Sequence, residues 1–107
     1  MSKSQRTKGA AGEREVCHII RDELGIDVKR NLSQTREGGC DISLPPFCIE
    51  VKRRRRISNI YEWLQQAENS CQTGERPVTV FRADGKGWIA AVPLTLFLSL
   101  IREEVAE

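Results

Sequence analysis

Long apolar runs are missing from this 107-residue chain, and none approaches the ~20 residues that a membrane-spanning helix requires. The opening Met1-Ser2-Lys3-Ser4 lacks the apolar core of a secretory leader, so an intracellular protein is expected. The four cysteines are poorly spaced for metal. Cys17, Cys40, Cys48 and Cys71 form no C-x-x-C pair, which leaves out the ligand spacing of a zinc site. Disulfides are not expected in an intracellular chain, and each thiol reads as a small buried hydrophobe. The one histidine, His18, directly follows Cys17. Adjacent helix residues point apart, and histidine chemistry needs a placed partner. Repeats, low-complexity tracts and domain-scale linkers are absent, and the net charge of +2 is too small to indicate a partner.

What remains is a folded-protein composition, 39% apolar and 30% charged, sized for one domain over residues 1–107 with a modest core. Charge is unevenly placed. Lys3, Arg6 and Lys8 precede any acid, and Lys52, Arg53, Arg54, Arg55 and Arg56 run together. Such runs mark either phosphate-binding patches or solvated loops.

Residues 1–8 are polar and read as a flexible basic arm. Residues 9–25 read as a helix ending at Gly25, with Glu13, Val16, Cys17, Ile20 and Leu24 on one stripe. Glu15 falls on another stripe and is expected to face solvent. Residues 27–30 form a short strand candidate, and residues 31–39, ending in Gly38-Gly39, form a loop. Two alternating stretches follow, Asp41–Leu44 and Phe47–Lys52, separated by Pro45-Pro46. Ser58 is placed to cap a second helix with Ile60, Trp63, Leu64, Ala67 and Cys71 on its apolar face. Residues 77–82 and 88–92 read as strands around an Asp84-Gly85 turn, and Pro93 opens a last helix. The order α-β-β-β-α-β-β-α predicts an α/β domain, a mixed sheet of about five strands flanked by helices.

Glu50 and Lys52 lie two residues apart on a strand and share a face, opposite Phe47, Ile49 and Val51. Asp41, one strand earlier, can bring a second carboxylate beside Glu50. Neighbouring carboxylates repel unless a cation lies between them, and hard oxygen ligands suit Mg²⁺ or Mn²⁺. Such a cation activates water and neutralises a phosphate, while a lysine orients the water or stabilises the transition state. Glu13 sits on the buried stripe at a helix start, where it can reach the sheet or simply favour the helix N-terminus. Taken alone, E-x-K also reads as an ordinary surface pair on a strand.

Lys8-Gly9-Ala10-Ala11-Gly12-Glu13-Arg14, then Cys40-Asp41-Ile42, then Ile49-Glu50-Val51-Lys52, resembles the PD-(D/E)xK nuclease superfamily, and within it small archaeal- and phage-type Holliday junction resolvases. The likeness runs from about Lys8 to Val92. It implies a restriction-endonuclease-like core and a Mg²⁺-dependent DNA endonuclease, with Mn²⁺ as a substitute. By resemblance Glu13, Asp41, Glu50 and Lys52 are catalytic. Asp41, Glu50 and the Val51 carbonyl hold metal, with Glu13 assisting. Arg30 and Ser33 fall where the family contacts DNA. Cys40 stands where the superfamily's namesake proline would be.

Beside such a site, Lys8 and Arg53, Arg54, Arg55 and Arg56 are expected to meet phosphates. Trp63 and Trp88 read mainly as core, while Tyr61 lies off the apolar stripe. The last helix is apolar at Leu94, Leu96, Phe97, Leu98, Leu100 and Ile101, wider than one stripe, which predicts burial on more than one side. A homodimer interface is one cause, deep burial against the sheet another. The resemblance favours a dimer acting on branched or four-way DNA, from a phage or prophage. Other nucleases of the fold, acting on flaps, nicks or duplex, and a non-catalytic DNA-binding module remain as alternatives.

Overall fold

The computed structural model describes residues 3–32 and 39–105, with side chains from Gly9 onward. Seven elements follow one another: α1 (Lys3–Leu24), β1 (Ile42–Leu44), β2 (Phe47–Arg54), α2 (Ile60–Ser70), β3 (Arg76–Ala83), β4 (Ile89–Ala91) and α3 (Leu94–Val105). The strands form one sheet in the order β1-β2-β3-β4. β1–β2 and β3–β4 are antiparallel, whereas β2–β3 is parallel. A parallel neighbour requires a crossover, and α2 supplies it.

β2 is central, and its alternation feeds two layers. Ile49 and Val51 join Val16 and Cys17 of α1 and Ile42 of β1 in one buried cluster. Gly12 allows α1 to lie close here. A Cβ at Gly12 would stand 3.2 Å from Arg53 Cβ and 3.3 Å from Trp88 Cη2, tighter than a packed interior tolerates without movement. On the other side, the Trp63 and Phe81 rings pack with centroids 5.9 Å apart, and Thr79 Oγ1 donates to the Trp63 carbonyl. Both sheet faces are therefore covered around β2, which explains why Glu50 and Lys52 do not sit on an open surface.

Several expectations need correction. α1 begins at Lys3, so the segment expected as a basic arm is helical from residue 3. The strand candidate at 27–30 reduces to one bridge, Arg30 to Ile42, leaving four strands among the described residues rather than about five. Gly25 ends α1 with a positive φ of 68° and donates its N–H to the Arg21 carbonyl, the closure expected of a C-terminal glycine. Leu24, one residue earlier, is exposed rather than buried. α2 is capped at Asn59, in a left-handed conformation without a side-chain bond, rather than at Ser58. α3 is not enclosed on several sides. Only Leu96 is buried, while Leu94, Phe97, Leu98, Ile101 and Val105 face solvent.

Candidate active site

The site forms where β1 turns into the sheet. Ile42 pairs with Ile49, so continuing that register by one residue sets Asp41 opposite Glu50. Asp41 is only 7% exposed and Glu50 3%. Asp41 Oδ2 accepts a 2.8 Å hydrogen bond from the Val51 N–H, locking the first carboxylate onto the strand that carries the second. Asn31 braces the approach: its N–H donates to the Asp41 carbonyl and its Nδ2 to the Cys40 carbonyl, each at 2.8 Å.

Burial and the neighbouring Asp41 push the Glu50 carboxyl up to about 8, opposed by Ser70 and Lys52. A buried carboxyl beside a second one resists ionising because both charges would share a poorly solvated space. The Ser70 hydroxyl, within reach of Glu50, also bonds the Gln66 carbonyl at 3.0 Å. Lys52 stands on the same face as Glu50. Burial lowers its ammonium below the usual lysine range, and Glu50 and Asp41 oppose that shift. Its Nζ donates to Gln66 Oε1 at 2.7 Å. Glu13 is raised by burial, with Arg30 opposing and Asp41 adding to the shift. Its Oε1 accepts from Arg30 Nε at 3.0 Å.

The structure thus brings Glu13, Asp41, Glu50 and Lys52 within electrostatic reach of one another. Among the described residues, no group of three or more His, Cys, Asp and Glu side chains converges closely enough to hold a metal by itself. The oxygen donors best placed for a hard cation are Asp41 and Glu50, whose mutual repulsion a dication would relieve.

Sequence reasoning missed Gln66, Ser70 and Asn31. The first two sit four residues apart on α2, on the side facing β2, and polar residues on a helix that otherwise packs its apolar face were the available signal. Asn31 lies in what reads as a plain polar loop, so nothing marked it.

The arginine run divides. Arg53 NH1 bonds Glu15 Oε2 at 3.1 Å, and Arg82 NH2 bonds Glu15 Oε1 at 3.0 Å. Glu15, expected in solvent, instead joins two arginines, and Arg53 is tied into the fold. Arg54 packs over the Trp63 ring at 5.8 Å. Arg55 and Arg56 lie past the end of β2 and are exposed. Arg30 is engaged by Glu13. Ser33 lies outside the described residues, as does the Lys8 side chain. Tyr61 is 91% exposed, Trp63 is buried, and Trp88 is partly buried against the α1–β2 core. Cys17, Cys40, Cys48 and Cys71 are free thiols, the first three buried.

An E-x-K strand, an acid on the neighbouring strand and an acid on the first helix are the arrangement expected of the PD-(D/E)xK superfamily. The family described as "Phage putative PDDEXK endonuclease" matches residues 4–105, nearly the whole chain, and the chain belongs to it. Its sequence is also similar to Protein D14 of Escherichia phage T5, 27% identical over 116 aligned positions that cover 86% of this chain and 72% of that protein. No solved structure matches the chain. Among the described residues, no helix is long and apolar enough to cross a membrane.

Proposed function

We propose that this protein is a Mg²⁺-dependent DNA endonuclease, selective for branched DNA and above all for four-way junctions, with Glu13, Asp41, Glu50 and Lys52 as its catalytic set. The observation that carries the reading is the buried Asp41–Glu50 pair beside Lys52. Burying two carboxylates side by side costs stability without a compensating cation, and a merely structural strand gains nothing from it.

In this reading Asp41, Glu50 and the Val51 carbonyl hold the cation, and Glu13 supports it from α1. Bound Mg²⁺ or Mn²⁺ supplies an activated water at neutral pH and neutralises charge on the scissile phosphate. The Val51 N–H would keep Asp41 aimed at the cation, and Glu50 would bind it as a carboxylate. Lys52, held by Gln66, presents its ammonium to the attacking water or to the developing phosphate charge. Arg55 and Arg56, with Lys8, provide sequence-independent attraction for the backbone.

A homodimer fits this reading, because four-way junctions require paired cuts and α3 leaves Leu94, Leu98, Ile101 and Val105 exposed along one side. Residues 1–107 act as one nuclease domain of a phage or prophage protein.

The test is cleavage of end-labelled four-way junction, flap, linear duplex and single strand with Mg²⁺, using Glu50→Ala as control. Paired symmetric nicks near the junction, absent in the variant, support the reading. Cutting of flaps or duplex alone removes the junction preference. DNA binding without any cut, in Mg²⁺ or Mn²⁺, removes the nuclease and leaves a binding module.

A further inference from the structure

A second concavity lies one turn along α1 from Glu13. It has a volume of about 310 Å³, and its helix wall is Arg14, Cys17, His18 and Arg21. Those positions follow the i, i+3, i+4, i+7 spacing of a single helix stripe, so the two arginines stand about 10 Å apart along the axis with His18 between them. Residues 27–32 make the opposite wall, with Val28 and Leu32 contributing apolar surface.

The charge of this pocket is unlike that of the chain. Arg14, Arg21, Lys29 and Arg30 line it against one acid, Asp27. Four cations and one anion give it +3, more than the +2 of the entire protein. Arg30 is paired with Glu13 at 3.0 Å and Arg21 with Asp22 at the rim at 3.6 Å, which leaves Arg14 and Lys29 against Asp27, a net +1. Apolar groups stand among these cations: Val28 is half-buried and Leu32 lies exposed at the edge. A phosphate alone would not use the apolar wall, and an apolar ligand would not use the arginines. A nucleotide uses both, because guanidinium groups bind phosphate and also stack on bases. The volume is at the small end of ligand sites, suited to one nucleotide and too small for a duplex.

Arg30 belongs to both places: it lines the pocket and holds Glu13. Through Arg30 the pocket adjoins the Glu13 side of the candidate site, so a strand bound at Asp41 and Glu50 can extend into it. Resting on the nuclease reading above, we propose that the pocket between α1 and residues 27–32 receives one unpaired nucleotide of the DNA strand, with its phosphate on Arg14, Arg21 and Lys29 and its base against His18, Val28 and Leu32. The preferred substrate is then DNA with an unpaired nucleotide beside the cleaved bond, whether at an opened junction, a flap or a gap.

The test is fluorescence anisotropy in EDTA, so that binding is read without cleavage. The probes are a labelled short duplex and the same duplex carrying a short single-stranded gap. The wild-type protein is expected to bind the gapped probe about tenfold more tightly, as stacking one base allows. The exposed double substitution Arg14→Ala/Arg21→Ala should abolish that preference and change intact-duplex binding by about twofold or less. Leu32→Ser, which removes no charge, should weaken only the gapped probe. Excess thymidine 5′-phosphate that displaces the gapped probe alone would show that a free nucleotide also fits, whereas no displacement assigns the pocket to strand-borne nucleotides. Equal binding of the two probes by the wild type, or equal losses on both probes in the variants, would overturn the proposal. Cleavage with Mg²⁺ is measured separately. A gap preference without cleavage refutes the nuclease reading, and cleavage without a gap preference refutes this one.

Discussion

The Val51 N–H donates to Asp41 Oδ2 at 2.8 Å, so the strand that carries Glu50 and Lys52 also holds the acid facing them. The bond is buried, and it separates two effects of changing Asp41. Asp41→Asn retains an oxygen for Val51 and removes the repulsion with Glu50. It should be at least as stable as wild type without metal, yet show no rise in Tm with Mn²⁺. Asp41→Ala leaves a buried N–H unsatisfied and should lose about 1–3 kcal/mol in denaturant melts. Equal stability of the two variants would contradict this role for Asp41.

Glu50 gives the metal-free protein a pH dependence of defined sign. Its carboxyl titrates near 4.5 when unfolded and is pushed up to about 8 in the fold. Between those values the folded state binds a proton that the unfolded state has released, so stability falls as pH rises. The contribution is fully present below about pH 4.5 and lost through pH 8. Denaturant melts in EDTA should show wild type losing stability across this window, by an amount on the order of a few kcal/mol. Glu50→Gln should flatten the curve. A wild-type curve that rises over the same window would contradict the burial of Glu50 beside Asp41.

Gln66 acts through Lys52 and is a positioning residue. Its Oε1 holds the ammonium at 2.7 Å. Gln66→Ala should lower kcat about tenfold while KM for DNA changes little, because the lysine retains its charge and loses its aim. Lys52→Ala should cost about 100-fold or more, in the range of a lost electrostatic contact to the transition state. A KM effect without a kcat effect would move Gln66 to DNA binding.

The arginines should separate by readout. Arg55→Ala and Arg56→Ala should weaken DNA binding and each reduce the slope of log K against log salt by about 1, with Tm unchanged. Arg53→Ala should act mainly on stability, by about 1 kcal/mol, because it breaks the Glu15 network. A full salt-slope effect at Arg53 would contradict its engagement by Glu15.

The core of the site was legible in the sequence because period-two alternation fixes which strand residues share a face, and Glu50 with Lys52 needed nothing more. Asp41 followed from the short link at Pro45-Pro46. The cover over that face was not legible. A strand covered by α1 on one side and α2 on the other reads locally like one with a solvated face, since Glu50 and Thr79 are polar but buried and Lys52 is half-buried. Long-range partners were illegible for the same reason. Glu15 meets Arg82 across 67 residues, a pairing that no local pattern encodes. Among the described residues the fifth strand reduces to a contact of residues 30–31 with the start of β1, through one bridge and the Asn31 bonds. At α3, apolar width fits either a subunit interface or burial against the sheet, and within the single chain Leu96 is buried while Leu94 and Leu98 are uncovered.

The most direct measurement is nicking of an end-labelled four-way junction by the purified protein, titrated with Mg²⁺ and compared with Glu50→Gln and Lys52→Ala. The account predicts nicking that appears with Mg²⁺, disappears in EDTA, and is lost in both variants while their DNA affinity and folding persist. Wild-type activity that survives EDTA, or variants that cut as fast as wild type, would contradict it.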